Sequence, residues 1–133
     1  MAALAAHSSN ASSGLDSLEQ SLLTARNFYD SALAQLDGYS RDQILDGSRV
    51  AFELNKLWEI NLAAYQGLNT NATQSDNGDR IQKIVQKFED AKAKFIDDSK
   101  TLDDDELKAK AREELIKMND AVDDIWDTYG FSG

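Results

Sequence analysis

Apolar residues recur every three or four positions along most of this chain, and proline is absent from all 133 residues. Proline is the commonest cause of a helix break, so its absence permits long uninterrupted helices. A spacing of three and four places apolar side chains in one stripe along an α-helix. In the first predicted helix this stripe consists of Leu15, Leu18, Leu22, Ala25, Tyr29, Ala32 and Leu36. The sequence therefore predicts an all-α fold.

Helix-capping signals divide the chain into predicted helices. Ser40 and Gln43 have the spacing of a capping box, and Thr101 with Asp104 gives a second N-terminal signal. Gly67–Leu68 and Gly130–Phe131 have the glycine and hydrophobe typical of a helix C-terminus. Short connections make successive helices antiparallel neighbours. The sequence predicts an up-down-up-down four-helix bundle, with helices over residues 14–37, 41–66, 79–99 and 102–129. We expect one domain over residues 14–133, preceded by a flexible leader over residues 1–13.

The remaining helices also have one predicted inward stripe each. In the second helix this stripe is Val50, Leu54, Leu57, Trp58, Asn61 and Tyr65. In the third it is Ile81, Ile84, Phe88, Ala91 and Phe95, and in the fourth Leu107, Ala111, Leu115, Met118, Val122, Ile125 and Tyr129. Polar residues on these stripes most often fix the register of packed helices. We interpret Asn61 in this way and expect an inter-helix pair between Lys92 and Glu114.

The composition argues against the metal sites and catalytic pairs that helical bundles often carry. The chain has no cysteine, and its one histidine, His7, lies in the predicted leader. A di-iron bundle needs Glu-x-x-His pairs, and a Ser–His or Cys–His pair needs a histidine in the folded region. The acidic run at residues 103–106 fits a helix N-terminus better than the alternating ligands of a calcium loop. We therefore predict no catalytic residue, no metal and no cofactor.

The formal net charge of −10 limits the partners that the chain can attract. Nucleic acids and anionic membrane surfaces both require clustered Lys and Arg, so the charge argues against both. No stretch approaches the roughly 20 apolar residues that a membrane span needs. We expect a soluble protein that is either cytoplasmic or exported without a cleaved signal peptide.

Two groups of residues depart from the simple bundle pattern. Leu45 and Phe52 are seven residues apart and are predicted to point away from the core, as is Ile116. Acidic residues also gather near the end of the last helix, where the helix dipole disfavours negative charge. Scattered surface hydrophobes and a solvated acidic face would explain both groups without a partner. The candidate partner-binding residues are Leu45, Phe52, Ile116, Asp120, Asp123, Asp124 and Asp127.

These features favour a non-enzymatic protein that acts by binding another protein, with a basic protein as one candidate partner. An adaptor, an inhibitor of the immunity-protein type and an exported helical factor all fit this description. Self-association as a homodimer through the Leu45 and Phe52 strip is an alternative. A second alternative is an acidic mimic that masks a nucleic-acid-binding protein.

Overall fold

The structure, a computed structural model, describes residues 2–70 and 73–131, and the side chains of residues 14–68, 70, 73 and 75–131 among them. Four α-helices make up most of this described part. They are α1 (Ala2–Gln35), α2 (Arg41–Asn69), α3 (Gln74–Ser99) and α4 (Asp104–Thr128), with a short 3-10 turn at Leu36–Gly38. The predicted all-α four-helix fold is confirmed. α1 begins at Ala2 rather than at the predicted residue 14, so its backbone includes most of the predicted leader. The side chains of the leader lie outside the described residues, and its flexibility stays a prediction.

The ends of α2 and α4 can be compared with the capping residues predicted for them. Ser40 caps α2 in a reciprocal capping box with Gln43, as predicted. Gly130 has a φ of 66° and lets the Phe131 amide donate to the Trp126 carbonyl, which confirms the predicted end of α4. The predicted start of the last helix was wrong, because Asp103 rather than Thr101 forms the capping box, with Glu106.

The connection between α2 and α3 is shorter than the gap predicted between residues 66 and 79. α2 continues through Gly67 to Asn69, and α3 begins at Gln74, capped by Thr73. Glycine is tolerated inside a helix at a cost of about 1 kcal/mol relative to alanine, so a glycine followed by a leucine does not by itself end one.

The four helices alternate in direction, as the short connections predict. Tyr29 of α1 meets Ala51 of α2, Lys56 of α2 meets Glu89 of α3, and Arg26 of α1 meets Asp123 of α4. However, α3 packs mainly on α2, whereas α1, α2 and α4 pack on one another. The described part of the molecule is therefore a four-helix bundle in which α3 packs most closely on α2, and Phe88 and Phe95 of α3 belong to the common core.

The core confirms most of the predicted inward residues of α1, α3 and α4. All the predicted residues of α1 from Leu18 to Leu36 are buried, as are Phe88 and Phe95 of α3. In α4 the buried set runs from Leu107 to Val122 and then continues with Trp126, while Ile125 is only partly buried. The buried apolar residues of α1 and α4 are Leu18, Leu22, Ala25, Tyr29, Ala32, Leu36, Leu107, Ala111, Leu115, Met118, Val122 and Trp126.

The orientation predicted for α2 was wrong in part. Trp58 is buried, and Leu54 and Tyr65 pack against the core, as predicted. Phe52 was expected on the surface, but it is 4% exposed and its ring lies 5.8 Å from that of Phe95. Leu45 is partly buried against the core. Conversely, Val50 and Leu57 were expected inside and are 43% and 47% exposed. The reason is that α2 contacts all three other helices and buries a wide arc, so its inward face includes Phe52 as well as Trp58.

Hydrogen bonds explain how polar residues occupy this wide buried arc. The buried Asn55 Oδ1 accepts from the Trp58 Nε1, 2.9 Å away, and from the Tyr29 hydroxyl, 3.2 Å away. The Asn55 Nδ2 donates to Glu59 at 3.0 Å. Asn55, rather than the predicted Asn61, is thus the polar residue that ties α2 to α1.

The expected Lys92–Glu114 pair is also wrong. The Lys92 Nζ lies 2.6 Å from Glu53 of α2 and 3.3 Å from Glu89 of its own helix. Lys56 joins the same two carboxylates at 2.8 and 2.7 Å. These four residues form an ion-pair network along the α2–α3 seam.

Candidate functional site: the groove between α1 and α4

A groove between α1 and α4 lies beside one of the predicted partner-binding residues, Asp123, which contacts Arg26 in the groove lining. Its volume is about 540 Å³, and its lining is Glu19, Gln20, Leu23, Arg26, Asn27, Asp30 and Trp126. Leu23 is half-exposed, and Trp126 lies at the base of the groove with most of its surface buried. The groove therefore combines an apolar floor with a polar rim.

The floor is held in place by the end of α4. Gly130 reverses the chain after α4, so that Phe131 packs on Trp126 with ring centroids 5.2 Å apart. The indole is also covered by the Arg26 guanidinium, 5.4 Å from the ring centroid. These contacts fix the Trp126 ring as a rigid part of the groove wall.

The rim carries most of its charge as carboxylates. Glu19 and Asp30 lie on α1, and Asp123 faces them from α4. Asp120, Asp124 and Asp127 extend the acidic surface of α4 away from the groove and are exposed. Arg26 is the one cation that lines the groove in the described part of the chain. The groove and its border are thus acidic.

Two oxygens on the α4 side have no hydrogen-bond donor among the described residues. They are the Oδ1 atoms of Asn119 and Asp123, and each is almost fully shielded from solvent. The Asn119 amide donates to Asp30 at 3.2 Å, which turns its oxygen away from that partner. The Arg26 Nε approaches the Asp123 Oδ1 at 3.5 Å, an ion-pair contact without hydrogen-bond geometry. Each buried acceptor left without a donor lowers the stability of this part of the fold by about 1–3 kcal/mol.

The structure separates the candidate residues into two groups. Asp123 lies at the groove, with Asp120, Asp124 and Asp127 beside it on α4, and Ile116 is 45% exposed on the same helix. Phe52 and Leu45 belong to the core side of α2 and do not join them. The sequence analysis missed Trp126 and Arg26. Trp126 follows Asp123 by three residues on α4, and Arg26 lies opposite Asp123 on α1. The position of Arg26 becomes clear only once the register of α1 against α4 is known.

A smaller cleft of about 150 Å³ lies between α3 and α4. Phe52 and Phe95 line it, together with Ala91, Lys94, Asp98, Lys110 and Glu114. Asp98 lies 2.8 Å from the Lys94 Nζ and 3.8 Å from the Lys110 Nζ, and these cations hold the pKa of its carboxyl below the ordinary range. A carboxylate paired in this way is a poor general acid or base near neutral pH. Among the described side chains, no group of three His, Asp or Glu residues is placed to hold a metal ion.

Comparison of the chain with protein-family models, with curated proteins and with solved structures finds no match. In the described residues, no helix is both long and apolar enough to cross a lipid bilayer.

Proposed function

We propose that this protein is a non-enzymatic binding module, and that the groove between α1 and α4 receives a basic helical segment of another protein. The observation that carries the proposal is the combination of an apolar floor at Leu23 and Trp126 with an acidic rim. An amphipathic helix docks through apolar anchors, and charges at its edges steer it and set its register.

The chemistry of the rim determines which partner fits. Lys or Arg side chains of the partner would meet the carboxylates of Glu19, Asp30 and Asp123. The apolar side of the partner would cover Leu23. An acidic segment would face like charges along the whole groove, so the site discriminates against it.

A synthetic helix with Leu and Lys at helical spacing is a direct probe of this site. Fluorescence anisotropy of the labelled peptide should show saturable binding to the wild-type protein, and raising the salt should weaken it because exposed charges are screened beyond about 10 Å at 0.1 M. The same peptide with Glu in place of Lys should not bind.

A charge-matched pair of variants locates the binding. Replacing the rim acids by Glu19→Gln, Asp30→Asn and Asp123→Asn should weaken the Lys peptide by about 3-fold or more, given roughly 0.2–1 kcal/mol for each exposed charge pair. The control neutralises three exposed acids elsewhere by Asp79→Asn, Asp90→Asn and Glu113→Gln. Equal weakening in both variants would reduce the effect to net charge, and no binding by the wild type would refute the proposal.

A further inference from the structure

α2 carries a second apolar strip that faces away from the core. Among the described residues, five large apolar side chains are exposed, and three of them, Val50, Leu57 and Leu68, lie on this one helix. They are 43%, 47% and 64% exposed. Leu54, Asn61 and Ala64 complete the strip and are partly buried, and Leu54 also packs against the edge of the core. We call these six residues the α2 strip: Val50, Leu54, Leu57, Asn61, Ala64 and Leu68.

The spacing within the α2 strip is that of a coiled-coil seam. Its members are separated by four, three, four, three and four positions, which repeats the alternation of a and d positions in a heptad. At 1.5 Å per residue the strip runs about 27 Å along the helix. None of its members carries a charge, whereas the chain as a whole has a net charge of −10.

We propose that the α2 strip is a homodimer interface, in which α2 of one copy packs antiparallel to α2 of a second copy. This inference is independent of the groove between α1 and α4. A chain with a large negative charge is repelled by its own copy at most of its surface, and the uncharged strip is where two copies can approach at the least electrostatic cost.

The order of residues in the strip is compatible with an antiparallel arrangement. The spacing reads the same in both directions, so a two-fold axis between Leu57 and Asn61 brings every member opposite another member. The layers would be Val50 with Leu68, Leu54 with Ala64, and Leu57 with Asn61 of the second copy. A parallel pairing would instead stack each residue on its own counterpart.

The charges beside the strip support the same direction. The exposed Asp46 flanks its first half, beside Arg49, and residues 60–69 around its second half contain no charged side chain. In the antiparallel arrangement Asp46 of one copy faces the uncharged half of the other, whereas a parallel arrangement would bring Asp46 close to its own counterpart. The dipoles of antiparallel helices also attract each other.

A shallow groove at one end of the strip matches the exposed side chain at the other end. It has a volume of about 390 Å³ and lies beside Val50, with Phe28, Tyr39 and Gly47 among its lining residues. In the proposed pairing, Leu68 of the second copy lies opposite Val50 and enters this groove. The most exposed apolar residue of the strip thereby gains aromatic neighbours.

Light scattering after size exclusion tests the dimer. We expect the mass to rise from that of a monomer towards twice that value between about 5 and 500 µM, the range in which an interface of modest area dissociates. Leu57→Glu should remain monomeric throughout. Ile116→Glu is the matched control, because Ile116 is exposed to nearly the same extent on α4 and the substitution adds the same charge. Circular dichroism establishes that both variants remain helical.

Cysteine cross-linking tests the direction, since the wild-type chain has no cysteine. An oxidised mixture of Val50→Cys and Leu68→Cys proteins should yield the mixed disulfide dimer, and neither protein alone should cross-link efficiently. Efficient linkage of Val50→Cys to itself would overturn the antiparallel arrangement. A monomer mass over the whole concentration range, or a dimer that withstands Leu57→Glu, would overturn the interface itself.

Discussion

The helices α1 and α2 differ in how many apolar faces they carry. α1 has one continuous buried stripe, and its sequence spacing is enough to tell which side turns inward. α2 has an inner face that includes Phe52 and Trp58, and an outer face formed by the α2 strip. Both faces of α2 have helical spacing, so periodicity alone does not choose between them. The hydrogen-bond partners of its buried polar groups and its contacts with three neighbouring helices decide the orientation of α2 instead.

The largest expected difference in stability is between truncations of a large apolar residue on the inner and on the outer face of α2. Phe52→Ala should lower the free energy of unfolding by about 3–5 kcal/mol, because it removes a buried ring and leaves a cavity. Leu57→Ala should change it by about 0.5 kcal/mol or less, because the side chain is already half in solvent. Urea unfolding at low protein concentration, where a dimer contributes least, measures both. Equal losses in the two variants would contradict the assignment of the faces.

Replacing one asparagine on each face should give the next largest difference. Asn55→Leu should cost about 1–3 kcal/mol, because it leaves the buried Trp58 Nε1 without its acceptor. Asn61→Leu, on the outer face, should leave the stability of the monomer almost unchanged. A larger loss from Asn61→Leu would restore Asn61 as the residue that fixes the register of α2. Thermal unfolding followed by circular dichroism is sufficient for this comparison.

The smallest expected effects come from two glutamates of α2, whose substitutions should change the free energy of unfolding in opposite directions. Burial raises the pKa of Glu59 above its ordinary value, whereas hydrogen bonds from Lys56 and Lys92 lower the pKa of Glu53. At neutral pH, Glu59→Gln should therefore stabilise the fold and Glu53→Gln should destabilise it. Both changes should be about 1 kcal/mol or less, because these side chains are partly exposed.

The pH dependence of these two effects follows from proton binding. Between its unfolded and folded pKa values, Glu59 binds more protons in the folded chain, so its contribution to stability falls as the pH rises through that window. The gain from Glu59→Gln should thus vanish below the ordinary value of 4.5. Glu53 stabilises the fold above its unfolded pKa and loses this effect as the pH falls through its lowered folded value. Unfolding curves at acidic and neutral pH measure both effects. A change in the free energy of unfolding of the same sign for both variants at neutral pH would contradict this assignment.

The number, direction and approximate limits of the helices could be predicted because they depend on local signals. Ser40 with Gln43 and Gly130 with Phe131 act within one turn of the chain, and the short connections leave only antiparallel neighbours. The side of α2 that turns inward depends on Tyr29, which lies more than twenty residues away in sequence. No local pattern contains that information.

The candidate groove was predicted only in part for the same reason. The acidic residues of α4 are visible as a cluster in the sequence, but the residue opposite them, Arg26, becomes a neighbour only through the register of α1 against α4. Trp126 was overlooked because it follows Ile125, which fits the heptad spacing better. The wrong choice at α2 also moved the expected self-association surface from the α2 strip to Leu45 and Phe52.

The packing of α3 mainly along α2 has a consequence for the order in which the molecule opens. Its anchors are the rings of Phe88 and Phe95, the ion pairs of Lys56 and Lys92 on the α2 side, and one contact of Asp98 with Lys110 of α4. A segment held on one side can detach while the remaining helices keep their packing. The amide protons of α3 should accordingly exchange with deuterium through a sub-global opening, ahead of those at the centre of α1, and faster as salt screens the ion pairs. The molecule would then have two levels of protection against exchange, with the boundary at the α2–α3 seam.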